Sequence, residues 1–283
     1  MSLSIGSPTP RPGPGRSQGP GGRPAKKPSR RTTQVRRNAL VMAWLLAAAV
    51  LAGPTIVGPL VSWGTWLPLH ALLLGGIGSA ITIWSAHFAD TLLHRPALGG
   101  AALLDARLYA HSLGTIIVLT GITTGRQVLA LIGAGIVMAQ AIAGVVAITV
   151  QYRRAIAPRL ASLAIHYAVA LVLLATGALL GFLISWSNAH GRSGLADGLY
   201  LAHTTTMLLG FVGTTVLGTL TVLWPTMLRT PMEPVAPRWT TRGLPYLVGG
   251  TALVAASGLW PPLAGLGTLI YLGGACGVLV PAY

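Results

Sequence analysis

From Asn38 onward the chain is a succession of apolar runs separated by short polar stretches. Each run is about 20 residues long, the length that crosses the roughly 30 Å of hydrocarbon in a bilayer. In that medium only helices and closed barrels satisfy their own backbone polar groups. Barrel strands are about half as long and alternate apolar with polar residues, a pattern these runs lack. Composition agrees: 53% of the residues are hydrophobic and 8% are charged, against roughly a quarter charged in soluble domains. The expected fold is therefore all-α, a polytopic transmembrane helix bundle. About eight spans are expected, at 38–60, 66–90, 107–124, 128–150, 161–186, 198–224, 244–259 and 262–281. The seventh is short, and the "GLWPPLAG" after it also reads as a re-entrant turn, which would leave seven.

Residues 1–37 form a different regime, rich in Pro, Gly and Ser, with nine Lys/Arg and no acid. Such a segment buries too little apolar surface to offset its chain entropy, so a disordered basic tail is expected over 1–37, followed by a helical membrane domain over 38–283. No cleavable signal peptide is expected, because a convincing small-residue cleavage site is missing. Basic residues beside a first span fix topology and touch anionic headgroups; membrane lipids, not nucleic acid, are the partners they imply. The single Cys276 rules out a disulfide framework and any Cys-rich metal site.

Charge also orients the bundle. With the tail on one side, Arg95, Arg107, Arg153, Arg154, Arg159, Arg229, Arg238 and Arg242 fall in loops on that same side, and only Arg126 and Arg192 fall opposite. By the positive-inside rule the N-terminus is cytoplasmic. Asp90, Asp105 and Glu233 lie near the inner surface and Asp197 near the outer one, so no carboxylate sits at mid-membrane, where a proton-coupled transporter would carry one.

The histidines sort by depth. His70 and His203 lie a few residues inside the outer ends of the second and sixth spans, at matched depth, while His87, His111 and His166 lie near the inner ends of the second, third and fifth. At about 1.5 Å per residue, the second span covers roughly 25 Å between its two histidines. Imidazole is an axial ligand for haem iron and a ligand for copper, and neutral imidazole is easier to bury than a carboxylate or ammonium. His70 and His203 are thus the first candidate cofactor and metal ligands, with His87, His111 and His166 as a second set. The alternative role for each is an interhelical or interfacial hydrogen bond. If the outer pair forms a site, a gap lined by Gly210 and Leu74 is expected between the second and sixth spans. Gly75, Gly76, Gly78 and Ser79, and likewise Gly177 and Gly181, leave room for a flat macrocycle or simply let helices pack closely. Trp63, Trp66, Trp186 and Trp239 sit near span ends as an interfacial belt. Phosphate-loop, zinc-hydrolase and serine-hydrolase motifs are absent.

The strings "WLPLHALLLGGIGSAITIWSAHFADTLL" (66–93), "HYAVALVLLATGALLGFLI" (166–184) and "AHTTTMLLGFVGTTVLGTLTVLWPTMLRTPM" (202–232) resemble the membrane domain that precedes cupredoxin domains in bacterial multicopper-oxidase and copper nitrite-reductase-like proteins. That domain is distantly similar to subunit I of haem–copper oxidases and to the haem–copper membrane proteins of nitric-oxide tolerance. The resemblance implies a bacterial plasma membrane, a b-type haem or copper held by His70 and His203, and electron transfer with an extracytoplasmic cupredoxin-type copper protein or domain. The chain departs from oxidase subunits in lacking an adjacent His–His pair and a His-x-His, which favours electron transfer or ligand sensing over oxygen reduction.

Two function classes follow: a haem- or copper-binding membrane redox protein, and a cofactor-free multispan transporter or structural subunit. The charge asymmetry yields a test of topology. A cysteine at Ser193, in "SNAHGRSGLAD" (187–197), should react with an impermeant thiol reagent on intact cells. Reaction only after the cells are opened reverses the orientation.

Overall fold

The computed structural model describes residues 30–57, 63–155 and 160–282. Among these there is no strand, and eight long helices run alternately up and down. They are α1 (Arg30–Val57), α2 (Trp66–Leu93), α3 (Gly100–Thr123), α4 (Gln127–Arg153), α5 (Ala161–Ala189), α6 (Ser193–Leu228), α7 (Ala236–Ala255) and α8 (Pro262–Leu279). All except α7 are long and apolar enough to cross a membrane, so this is a multi-pass membrane protein. The turns at 124–126 and 190–192 are tight because Gly125 and Gly191 adopt φ of 68° and 69°, the left-handed conformation that glycine supplies without strain. They share one end of the bundle with the start of α2; the first turns of α1, α3, α5 and α7 form the opposite, arginine-rich end.

Four expectations are corrected. Residues 30–37, expected in the disordered tail, form the first turns of α1, where Arg36 and Arg37 reach Asp105 of α3 at 2.9 and 2.7 Å. The third helix begins at Gly100 instead of 107, which moves Arg107 out of a loop and into the bundle. The seventh helix starts eight residues earlier than 244, and its glycines interlock with α8 along its length: Gly243 faces Gly274 and Gly250 faces Gly267. It is a full-length partner of α8, not a re-entrant turn. The loop expected over 187–197 shrinks to 190–192. Residues 1–29 of the expected tail, 58–60 of the first run and Arg159 lie outside the described residues.

The core is organised on α5. Leu163, Ala164, Tyr167, Ala170, Leu171 and Leu174 recur at helical spacing and are each 1% exposed or less. They pack against Ala89, Leu92 and Leu93 of α2, Val137, Ala141 and Ile148 of α4, and Phe211 of α6. Smaller clusters flank this centre: Trp44 and Ala48 of α1 with Ala71 and Leu119 on one side, and Leu217, Leu247 and Val278 of α6–α8 on the other. Outward-facing Leu131, Val146 and Leu208 are exposed, as a lipid-facing surface requires.

Close approach of α3 and α4 depends on Gly133, where a Cβ would lie 2.8 Å from the Gly114 carbonyl oxygen; Gly135, two residues on, has nothing within 4 Å. Gly133→Leu should lower stability by about 1–3 kcal/mol through overpacking. Gly135→Leu should leave it unchanged or slightly raised. Thermal unfolding in detergent measures both.

Candidate cofactor site

Both α2 and α6 change winding just after the outer histidine each carries. His70 ends the α-helical start Trp66–His70, and Ala71–Ile77 is π-wound. His203 lies near the end of Ser193–Thr205, and Thr206–Gly213 is π-wound. Such i→i+5 turns re-aim side chains and concentrate at functional sites.

The two histidines face each other. Their ring centroids are 6.3 Å apart and their planes lie within 17°. Each ring is oriented through Nδ1, which donates to a backbone carbonyl: His70 to Trp66 O and His203 to Gly177 O, both at 2.9 Å. Since a carbonyl only accepts, Nδ1 carries the proton and Nε2 keeps its lone pair. Neither Nε2 has a hydrogen-bond partner among the described residues. This is the arrangement in which a second hydrogen bond fixes the tautomer and orientation of a ligating imidazole. Two residues seat the rings further. Trp66 stacks on His70 with centroids 4.2 Å apart, and Gly181 lies against His203, so that a Cβ there would be 3.1 Å from Cε1. One turn along the same two helices, Gly177 receives the Met207 sulfur.

A cavity of about 530 Å³ opens beside the pair, bounded by α2 to α6. Ala130, Ala134, Ala178 and Gly181 leave the space, Leu74, Val137 and Leu174 form its apolar floor, and Gln127, Ser185 and Asn188 ring its mouth. Leu74 lines it as expected; Gly210 does not, because it packs on Leu173 and Thr251. No charged side chain lines it. Two imidazoles sharing one iron axially, with bonds of about 2 Å and a ring nitrogen roughly 1 Å from its own centroid, hold their centroids about 6 Å apart. The 6.3 Å between the His70 and His203 centroids matches that separation. No group of three or more His, Cys, Asp or Glu converges among the described residues.

That finding also corrects the inner set: His87, His111 and His166 do not converge. His87 is exposed on α2 beside Trp84 and Phe88. His111 is fully buried with both nitrogens engaged, Nε2 donating to Leu74 O at 2.8 Å and Nδ1 accepting from the Gln140 amide at 3.0 Å; it has no lone pair left for a metal. His166 is fully buried against Gly218 of α6, and neither ring nitrogen makes a hydrogen bond of normal geometry.

Below the cavity floor lies a polar cluster that sequence reasoning missed. Arg107, 5% exposed, donates from Nε to the Gln140 carbonyl at 3.0 Å, and its Nη2 has no partner. Its guanidinium occupies the space that a Gly144 side chain would fill. Among the described residues the carboxylate ion pairs are those of Asp105 with Arg36 and Arg37, so Arg107 is a buried cation without a counter-ion. Gln140 was visible in the sequence as the polar residue isolated in the run 128–150, the signal that marks an intramembrane polar group as functional.

No known protein family, curated protein or solved structure matches this chain, so the chemistry of the site rests on its own geometry. An uncompensated buried charge costs several kcal/mol. Arg107→Met should therefore leave stability unchanged or raise it. Gln140→Leu should cost about 1–3 kcal/mol, because it strips the donor from buried His111 Nδ1. Thermal unfolding of the two single variants checks the opposite signs.

Proposed function

We propose that the chain is an electron-transfer protein of the bacterial plasma membrane, holding one b-type haem between His70 and His203 on the extracytoplasmic side. The observation that carries this reading is the facing pair: planes within 17°, centroids 6.3 Å apart, each Nδ1 tied to a carbonyl and each Nε2 free. Two protein ligands suffice for haem because the porphyrin supplies the other four. A haem bound here would supply one-electron chemistry at a potential set by its axial imidazoles and the surrounding dielectric.

The remaining work belongs to the chain. Trp66 O and Gly177 O hold the imidazoles in one tautomer and one orientation. The apolar floor excludes water, and the uncharged walls favour a flat apolar ligand. Gln127 and Ser185, hydrogen-bonded to each other at 3.0 Å, and Asn188 offer polar groups at the mouth that would hydrogen-bond the polar substituents of such a ligand. The many arginines at the opposite end support a cytoplasmic N-terminus, and with it a mouth that faces outward. An extracytoplasmic cupredoxin-type copper protein or domain is the proposed electron partner.

Purified protein, reconstituted with haem where needed, should show sharp reduced-minus-oxidised bands with one haem per chain. His70→Ala and His203→Ala should each abolish them while the protein still inserts and unfolds cooperatively. His203→Met should shift the bands instead of removing them, and His87→Ala should leave them unchanged. A colourless protein that takes up no haem, or bands that survive in both alanine variants, overturns the proposal and leaves the cofactor-free transporter or structural subunit.

A further inference from the structure

At the arginine-rich end a groove of about 670 Å³ lies between the first turns of α5 and α7, lined by Ser162, Pro237, Arg238, Thr241 and Arg242. Arg238 and Arg242 stand one turn apart on the same face of α7, both exposed. Neither forms an ion pair among the described residues, and Glu233, the carboxylate just before α7, pairs with neither. Like charges at this spacing repel, so the pair costs stability unless an anion lies between them. The Ser162 hydroxyl makes no hydrogen bond to a described residue and leaves a donor at the rim.

The level of the groove is set by its neighbours. Trp239, between the two arginines in sequence, is 46% exposed with Arg242 lying 5.9 Å from its ring centroid. The apolar part of α7 begins at Leu244, and Met227 and Leu228 at the end of α6 are exposed apolar side chains. An exposed Trp beside Arg at the edge of an apolar helix marks the headgroup layer. Guanidinium forks match phosphate geometry and bind it through charge-assisted hydrogen bonds. The first-turn N–H groups of Arg238 and Trp239 already donate to Val235 O, so the side chains and not the helix terminus supply the donors.

We propose that this groove binds a phosphate group, carried by the headgroup of an anionic phospholipid. Basic pockets between transmembrane helices recognise such headgroups, and this one commits two unpaired arginines and a hydroxyl to the task. The site is independent of the haem reading and lies at the other end of the bundle.

The test is thermal unfolding of the full chain reconstituted in phosphatidylcholine vesicles, with and without phosphatidylglycerol, and separately in phosphatidylcholine with inorganic phosphate. Phosphatidylglycerol should raise the unfolding midpoint of the native chain. The double variant Arg238→Gln/Arg242→Gln should unfold like the native chain in phosphatidylcholine and lose the shift. Arg153→Gln, which removes a charge from another loop at the same end, should keep it. A shift produced by inorganic phosphate assigns the groove to free phosphate and overturns the lipid assignment. No shift with either probe, an equal shift in the double variant, or loss of the shift in Arg153→Gln overturns the site.

Discussion

Five interior side chains in this bundle lie where a facing glycine vacates the space for them. His203 lies against Gly181, Met207 against Gly177, His111 against Gly78, Arg107 against Gly144 and His166 against Gly218. In a bilayer the hydrophobic effect does not press helices together; close packing and interhelical hydrogen bonds do. A glycine notch serves both needs, because it brings backbones close and exposes their carbonyls to the inserted side chain. Gly177 does both at once: its carbonyl accepts from His203 and its missing side chain admits Met207.

Such notches explain how a chain with so few polar residues builds two distinct layers. In the outer layer His70 and His203 spend one nitrogen each on a carbonyl and keep the other, beside a cavity that small side chains leave open. In the layer beneath, His111 spends both nitrogens, and Arg107 and Gln140 complete a compact cluster. The layers touch at Leu74, whose side chain lines the cavity while its carbonyl, in the π-wound turn of α2, takes the His111 proton. The charge of the two layers differs: the cavity lining is uncharged, and the layer beneath holds the guanidinium of Arg107.

Depth along each helix was legible in the sequence, since rise per residue is constant and the ends of apolar runs mark the bilayer boundary. Matched depth brought His70 and His203 to notice. The same reasoning grouped His87, His111 and His166, and there it failed, because depth carries no information on azimuth. His87 turns outward from α2, and His111 and His166 face different neighbours. Arg107 was read as a loop residue since its charge ended the apolar run, yet Gly144 on a helix distant in sequence gives that charge a place inside. The glycines themselves were visible, but whether a glycine admits a macrocycle, a helix or a single side chain depends on what stands opposite it.

By itself the sequence determined the class of structure, the alternation of the helices and the charge asymmetry of the two ends, because each follows from chain-local quantities: run length, hydropathy and the positions of arginine. Only the tertiary structure decided which histidines keep a free nitrogen, where the cavity opens and that a lone arginine is buried beneath it. Those features depend on the rotation of each helix about its axis and on the residue its neighbour presents at the same height, and neither is written in any one segment.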